Sequence, residues 1–141
     1  MTRLTKAEAG KLGLLKHWPK TPREPSDGMN KLEREFFERL RAARDCHAFL
    51  HVWREPFKLR LAGRCWYTPD FATFSSLEEL AFWETKGGFF RDDACVKLKV
   101  AAETYPCFRF VLVTRVKREW QCRSVTNRGI SPHPFTPGWL V

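Results

Sequence analysis

Residues 108 to 116 read FRFVLVTRV, a stretch nearly continuous in Phe, Val and Leu. Side chains alternate across a sheet, so a strand apolar at almost every position is one buried on both faces. The rest of the chain must supply the elements that cover it. Upstream, Leu32, Phe36, Leu40 and Ala43 recur at helical spacing and predict a helix from Asn30 to about Cys46. Phe57 to Leu61 alternates as FKLRL, Ala62-Gly63-Arg64 reads as a turn, and Cys65 to Phe74 resumes with aromatic and β-favouring residues, giving two hairpin-linked strands. Ser75 to Glu78 is a second turn, and Glu79 to Lys86 a third strand that Gly87-Gly88 ends. Asp92-Asp93 then opens a helix reaching about Thr104, with its acids at the positive end of the dipole, and Pro106 closes it before the fourth strand. The resulting order, αβββαβ, implies an α/β fold around a mixed sheet flanked by helices, with a parallel crossover from strand three to strand four.

The 141 residues suit one such core with tails. Residues 1–28 are basic and end in WPKTPREPSDG, an arm or linker in which Ala7 to Leu15 is a candidate short helix; residues 29–118 form the core, and residues 119–141, containing SPHPFTPGW, read as a C-terminal extension. No run approaches the 18 or so apolar residues of a spanning segment, and the amino terminus lacks the uninterrupted hydrophobic stretch of a secretory signal, so a cytoplasmic location is expected. Five cysteines without a CxxC pair indicate neither a disulfide framework nor a zinc ribbon. The one metal-like grouping, Cys46, His47 and His51, lacks the four-ligand spacing of structural zinc sites. Lys+Arg 25 against Asp+Glu 16 leaves a net charge of +9, an imbalance that suits a polyanionic partner, nucleic acid first. Neither GxxxxGK[ST] nor GxGxxG occurs, and none of the histidines sits in a nucleophile motif, so nucleotide-driven motors, dinucleotide enzymes and covalent hydrolases are unsupported.

The chemistry is concentrated on the third strand. Leu80, Phe82, Glu84 and Lys86 share one face there, so an acid and a base continue an apolar line. Burying both costs desolvation energy unless each has a partner, and a metal or a phosphate would account for the pair; a strand end emerging into solvent is the plainer alternative. In Tyr67-Thr68-Pro69-Asp70-Phe71, proline interrupts a strand and sets Asp70 at a bend, from which an antiparallel neighbour brings it beside Glu84. Two hard oxygen ligands with open positions suit Mg²⁺ or Mn²⁺ better than zinc. On a helical wheel with Leu32 at 0°, Glu33 falls at about 100°, inside the sector of Phe36, Phe37, Leu40 and Ala43, whereas Glu35 and Glu38 fall outside it. Glu33 is thus the inward acid, although Asn30-Lys31-Leu32-Glu33 also reads as a capping box.

Pro69-Asp70 followed by Glu84-Thr85-Lys86, with Glu33 on the first helix and a helix and strand after, resembles the PD-(D/E)XK nuclease superfamily. The segments MNKLE (29–33), PFKLRLA (56–62), YTPDF (67–71), WETKGGFFRDDACVKLKVAAE (83–103) and YPCFRFVLVTR (105–115) resemble small phage- and prophage-encoded endonucleases of that superfamily. The resemblance spans residues 29 to 115 and implies a restriction-endonuclease-like core and a metal-dependent DNA endonuclease. It further implies Asp70 and Glu84 as metal ligands for Mg²⁺, with Mn²⁺ as substitute, Lys86 orienting or activating the attacking water, and Glu33 completing the acidic site as a further catalytic, metal-binding acid. Thr85 departs from the apolar residue expected at that position.

Arg64 on the hairpin, together with Arg91, Lys97 and Lys99 on or before the second helix, are the candidate DNA contacts, each equally readable as a solvated charge. Trp66 and Tyr67 read as core aromatics before base-stacking ones. Analogy alone points to branched or junction DNA in phage DNA metabolism and to a homodimer. A non-cleaving DNA-binding or assembly protein on the same scaffold is the alternative. The basic residues of both tails, Arg115, Lys117 and Arg118 among them, are expected to act electrostatically on phosphates.

Overall fold

The computed structural model describes residues 28–87 and 92–141. Asn30, extended at φ −71° and ψ 170°, caps helix α1 (Lys31–Asp45) through the reciprocal bonds of a capping box with Glu33. Five strands follow: β1 (His51–Arg54), β2 (Leu59–Ala62), β3 (Cys65–Tyr67), β4 (Phe71–Phe74) and β5 (Leu80–Lys86). Helix α2 (Asp92–Thr104) leads to β6 (Arg109–Val116), β7 (Glu119–Thr126), β8 (Gly129–Ile130) and a short 3-10 turn, Gly138–Leu140.

The apolar run of β6 is buried from Phe110 to Thr114 and lies inside a six-stranded sheet of order β1-β4-β5-β6-β7-β8. β5 and β6 pair in parallel, Lys86 opposite Thr114, and the sheet's other pairings are antiparallel. Strand periodicity divides the core in two. Phe71, Trp83, Val111 and Val113 face Phe36, Phe37 and Leu40 of α1, while Ala72, Phe82, Phe110 and Leu112 pack with Leu98, Ala101 and Ala102 of α2. Phe36 sits among the tilted rings of Phe71, Trp83, Trp120 and Trp139, with centroids 5.6 to 6.2 Å away, an arrangement that aromatic quadrupoles favour.

The α/β class, the mixed sheet, both helices and the parallel crossover pairing agree with the sequence reading. The expected αβββαβ order does not appear as such, because five strands stand between the helices. β1 is a four-residue strand, HVWR, too short for its periodicity to stand out. The stretch 65–74 is two strands, since Pro69 carries no amide to continue a ladder. β3 pairs with β2 in a separate two-stranded sheet, and β4 joins the main one. Residues 119–141, expected as an extension, contribute β7 beside β6, a backbone bridge between Cys122 and Phe135, and Leu140, which is 1% exposed in the α1-side core. The candidate helix at Ala7 to Leu15 and the arm to residue 27 lie outside the described residues. Among the described residues, no helix is long and apolar enough to cross a membrane.

Because Leu140 fills the same cluster as Phe36, truncating it to Ala should cost about 2–5 kcal/mol in urea unfolding. An unchanged midpoint would show that the C-terminal segment is not part of the core.

Candidate active site

Ligand sites in open α/β sheets gather at the carboxyl ends of the parallel strands. Glu84 and Lys86 lie at that end of β5, paired with Leu112 and Thr114 of β6 but past Trp83, the last residue of β5 that pairs with β4. Phe71 of β4 is paired with Trp83, so the next step outward sets Asp70 against Glu84 on one face. Asp70 sits at the bend that follows Pro69 and is anchored by Thr85, whose amide and hydroxyl donate to Oδ2 at 2.8 and 2.9 Å. Burial, reinforced by the charge of Glu55, raises the Asp70 carboxyl above its ordinary range against the lowering effect of Thr85 and Lys86.

Glu84 is only 6% exposed. Lys86 Nζ lies 2.7 Å from its Oε1, and the Tyr67 hydroxyl donates to its Oε2 at 2.9 Å. Burial and then the Asp70 charge push the Glu84 carboxyl up, against the pull of Lys86 and Tyr67. For Lys86, burial favours the neutral amine, but Glu84, Asp70 and Cys95 together outweigh it and the ammonium is held above its usual range. Tyr67, buried beside Glu84, is raised well above the ordinary phenol and remains protonated as a donor.

Glu33 meets both readings the sequence allowed. Its carboxylate accepts from the Asn30 amide nitrogens at 3.2 and 2.6 Å, completing the cap. It is also half-buried beside the other acids: burial and then Asp70 raise its carboxyl, opposed by Asn30, Arg54 and Lys86. Glu33, Asp70 and Glu84, with Glu55 acting on Asp70, thus lie near two cations, Lys86 and Arg54; burial is the largest cause raising each of the three acids, and a neighbouring carboxylate charge adds to it.

Arg64, Lys97 and Lys99 are exposed on the β2–β3 hairpin and α2, with no bond to these acids among the described residues, and Arg91 lies outside the described residues. Trp66 is 49% exposed, whereas Tyr67, 5% exposed, belongs both to the core and to the acidic cluster. Tyr67, Arg54 and Glu55 are site neighbours that the sequence reading did not single out. Core packing, expected of both Trp66 and Tyr67, holds for Tyr67 and not for Trp66; the bond of Tyr67 to Glu84 depends on how the separate β2–β3 sheet lies over β5.

Among the described residues, no group of three or more His, Cys, Asp or Glu side chains is placed so that it could hold a metal ion, and Cys46, His47 and His51 form no such site. Mg²⁺ is bound through one or two carboxylates and keeps most of its waters, so Asp70 and Glu84 side by side, in a cluster with excess negative charge, fit it as a donor pair. No protein-family model matches the chain, and no curated protein matches it significantly.

The raised carboxyls set a sign for pH dependence. Between the ordinary carboxylate range and the raised folded values, the folded chain binds more protons than the unfolded one, so stability falls as pH climbs through that window and stays low above it. Asp70→Asn keeps an acceptor for Thr85 and removes the charge. In metal-free buffer its Tm should exceed wild type at pH 7 and converge with it below about pH 4. An Asp70→Asn protein melting below wild type at pH 7 would mean that the carboxylate is a net stabiliser.

Proposed function

We propose that this protein is a metal-dependent DNA endonuclease on a restriction-endonuclease-like core of the PD-(D/E)XK type. The observation that carries the reading is the pair of a half-buried Asp70 and a buried Glu84 at the carboxyl end of β5, with Lys86 bonded to Glu84. Strongly desolvated carboxylates clustered with a lysine are destabilising as structure and useful as chemistry. The net charge of +9 suits a polyanionic substrate.

Asp70 and Glu84 would hold the cation, Mg²⁺ or Mn²⁺ by their hard oxygen donors. When bound, it supplies a water acidic enough to deprotonate near neutral pH and positive charge beside the phosphate. Thr85 fixes the Asp70 carboxylate through two donors, and Tyr67 fixes Glu84 from the opposite oxygen, so neither acid must reorganise. Lys86 remains an ammonium: it donates to the attacking water or to a phosphate oxygen and offsets charge developing there. Glu33 acts on the cluster through its charge while holding the start of α1. Branched or junction DNA, cut by a homodimer, is the substrate class that analogy favours.

Asp70→Ala, Glu84→Ala and Lys86→Ala should each lower Mg²⁺-dependent cleavage of a labelled substrate panel (duplex, flap, single-stranded, four-way) by about a hundredfold or more while the chain stays folded. Full cleavage by the Asp70 and Glu84 variants would remove the proposed site. DNA binding with Mg²⁺ and with Ca²⁺, but cleavage with neither, would instead favour a non-cleaving DNA-binding protein on this scaffold.

A further inference from the structure

The β6–β7 hairpin carries a cost in its turn. Val116 pairs with Glu119, leaving Lys117 and Arg118 as a two-residue loop with φ of 49° and 70°. Positive φ at both positions is the geometry that Asn-Gly fills most readily, because the Cβ of a bulky L-residue there crowds the following carbonyl. Here both places hold long cations, and local folding gives no reason for either.

Their position supplies one. Lys86 is in register with Thr114 on the adjacent strand, so Arg115 and the hairpin tip continue outward from the same edge that carries Asp70, Glu84 and Lys86. Two to three residues of strand at about 3.3 Å each separate Thr114 from the tip, the span of two or three phosphates at about 3.4 Å of helix axis per phosphate. Beside the tip lies a groove of about 510 Å³ lined by Arg39, Arg115, Arg118, Trp120, Gln121 and Leu140, among others. Its floor is aromatic and its walls are cationic. Arg115 is held rather than loose: it pairs with Glu35 and lies over the Trp120 ring at 5.1 Å. Among the charged side chains that line the groove, Arg39, Arg115 and Arg118 outnumber Glu119.

We infer that this groove, with the Lys117–Arg118 tip as its rim, is the track for the DNA strand running away from the acidic site, its phosphates contacted by Arg118, Lys117 and Arg115. The inference rests on the nuclease reading for the direction of the strand. It places the backbone contacts on the α1 side of the sheet, opposite Lys97 and Lys99 of α2.

The turn itself offers a variant that should fold. The double substitution Lys117→Asn with Arg118→Gly installs the preferred turn residues and removes both charges. Its Tm should equal or exceed that of wild type. In Ca²⁺, fluorescence anisotropy with a labelled duplex should show affinity weaker by tenfold or more at 0.1 M salt, and a slope of log affinity against log salt shallower by about 1.8, or roughly 0.9 per lost contact. Lys97→Ala serves as the opposite-face comparison and should leave the rim's contribution intact. Wild-type affinity and slope in the double variant would overturn the track. Wild-type protein that binds no DNA would overturn the track and the nuclease reading together, whereas weakened binding in the variant beside a wild type that binds but never cleaves would uphold the rim contacts and sink the nuclease reading alone.

Discussion

A parallel strand pair cannot be closed by a hairpin, so the chain leaving β5 at Lys86 must return the length of the sheet before β6 begins at Arg109. α2 makes that return, and in doing so lays Leu98, Ala101 and Ala102 over one face while α1 covers the other. The consequences run in both directions. The middle of the sheet is buried on both faces, which is why β6 is apolar at nearly every position. The carboxyl end of β5 runs past its pairing with β4, and there the alternation that makes Phe82 a core residue carries Glu84 and Lys86 onto the same face.

Local chemistry then decides what that edge holds. Pro69 stops one ladder and turns the chain, so Asp70 arrives at Thr85 instead of continuing a strand. Tyr67, on the small sheet just before that turn, reaches Glu84 from the opposite side to Lys86. Every acid in the cluster has partners, yet desolvation raises each carboxyl, and a neighbouring acid's charge adds to it. Stability alone would favour neutral residues at these positions, and a divalent cation is the species whose charge and donor preference answer the excess.

Much of this was legible in the residues. Leu32, Phe36 and Leu40 announced α1, Asp92 and Pro106 bracketed α2, and period-two alternation put Glu84 and Lys86 on one face with Asp70 able to meet them. Other parts were not, for physical reasons. HVWR is four residues long and shows too little of its period to declare a strand. β7 turns Trp120 and Cys122 toward the α1-side core and Val125 toward the α2 side, but the proline-rich run after it obscured the fact that Phe135 and Leu140 close over α1. Pro69 was recognised as a bend without revealing that it divides two sheets, and Tyr67's role follows only from where those sheets meet. Glu33 illustrates a different limit: the helical wheel and the capping box each describe it correctly, because one carboxylate can end a helix and face a cluster at once.

The central claim is that Asp70 and Glu84 form a divalent-cation site. Mn²⁺ binding to the full chain, followed by electron paramagnetic resonance of the free ion, tests it without relying on any substrate. Wild-type protein should deplete the free Mn²⁺ signal saturably, with Mg²⁺ competing for the site, and Asp70→Asn should abolish most of that depletion. Equal Mn²⁺ binding by wild type and Asp70→Asn, or none by either, would contradict the account.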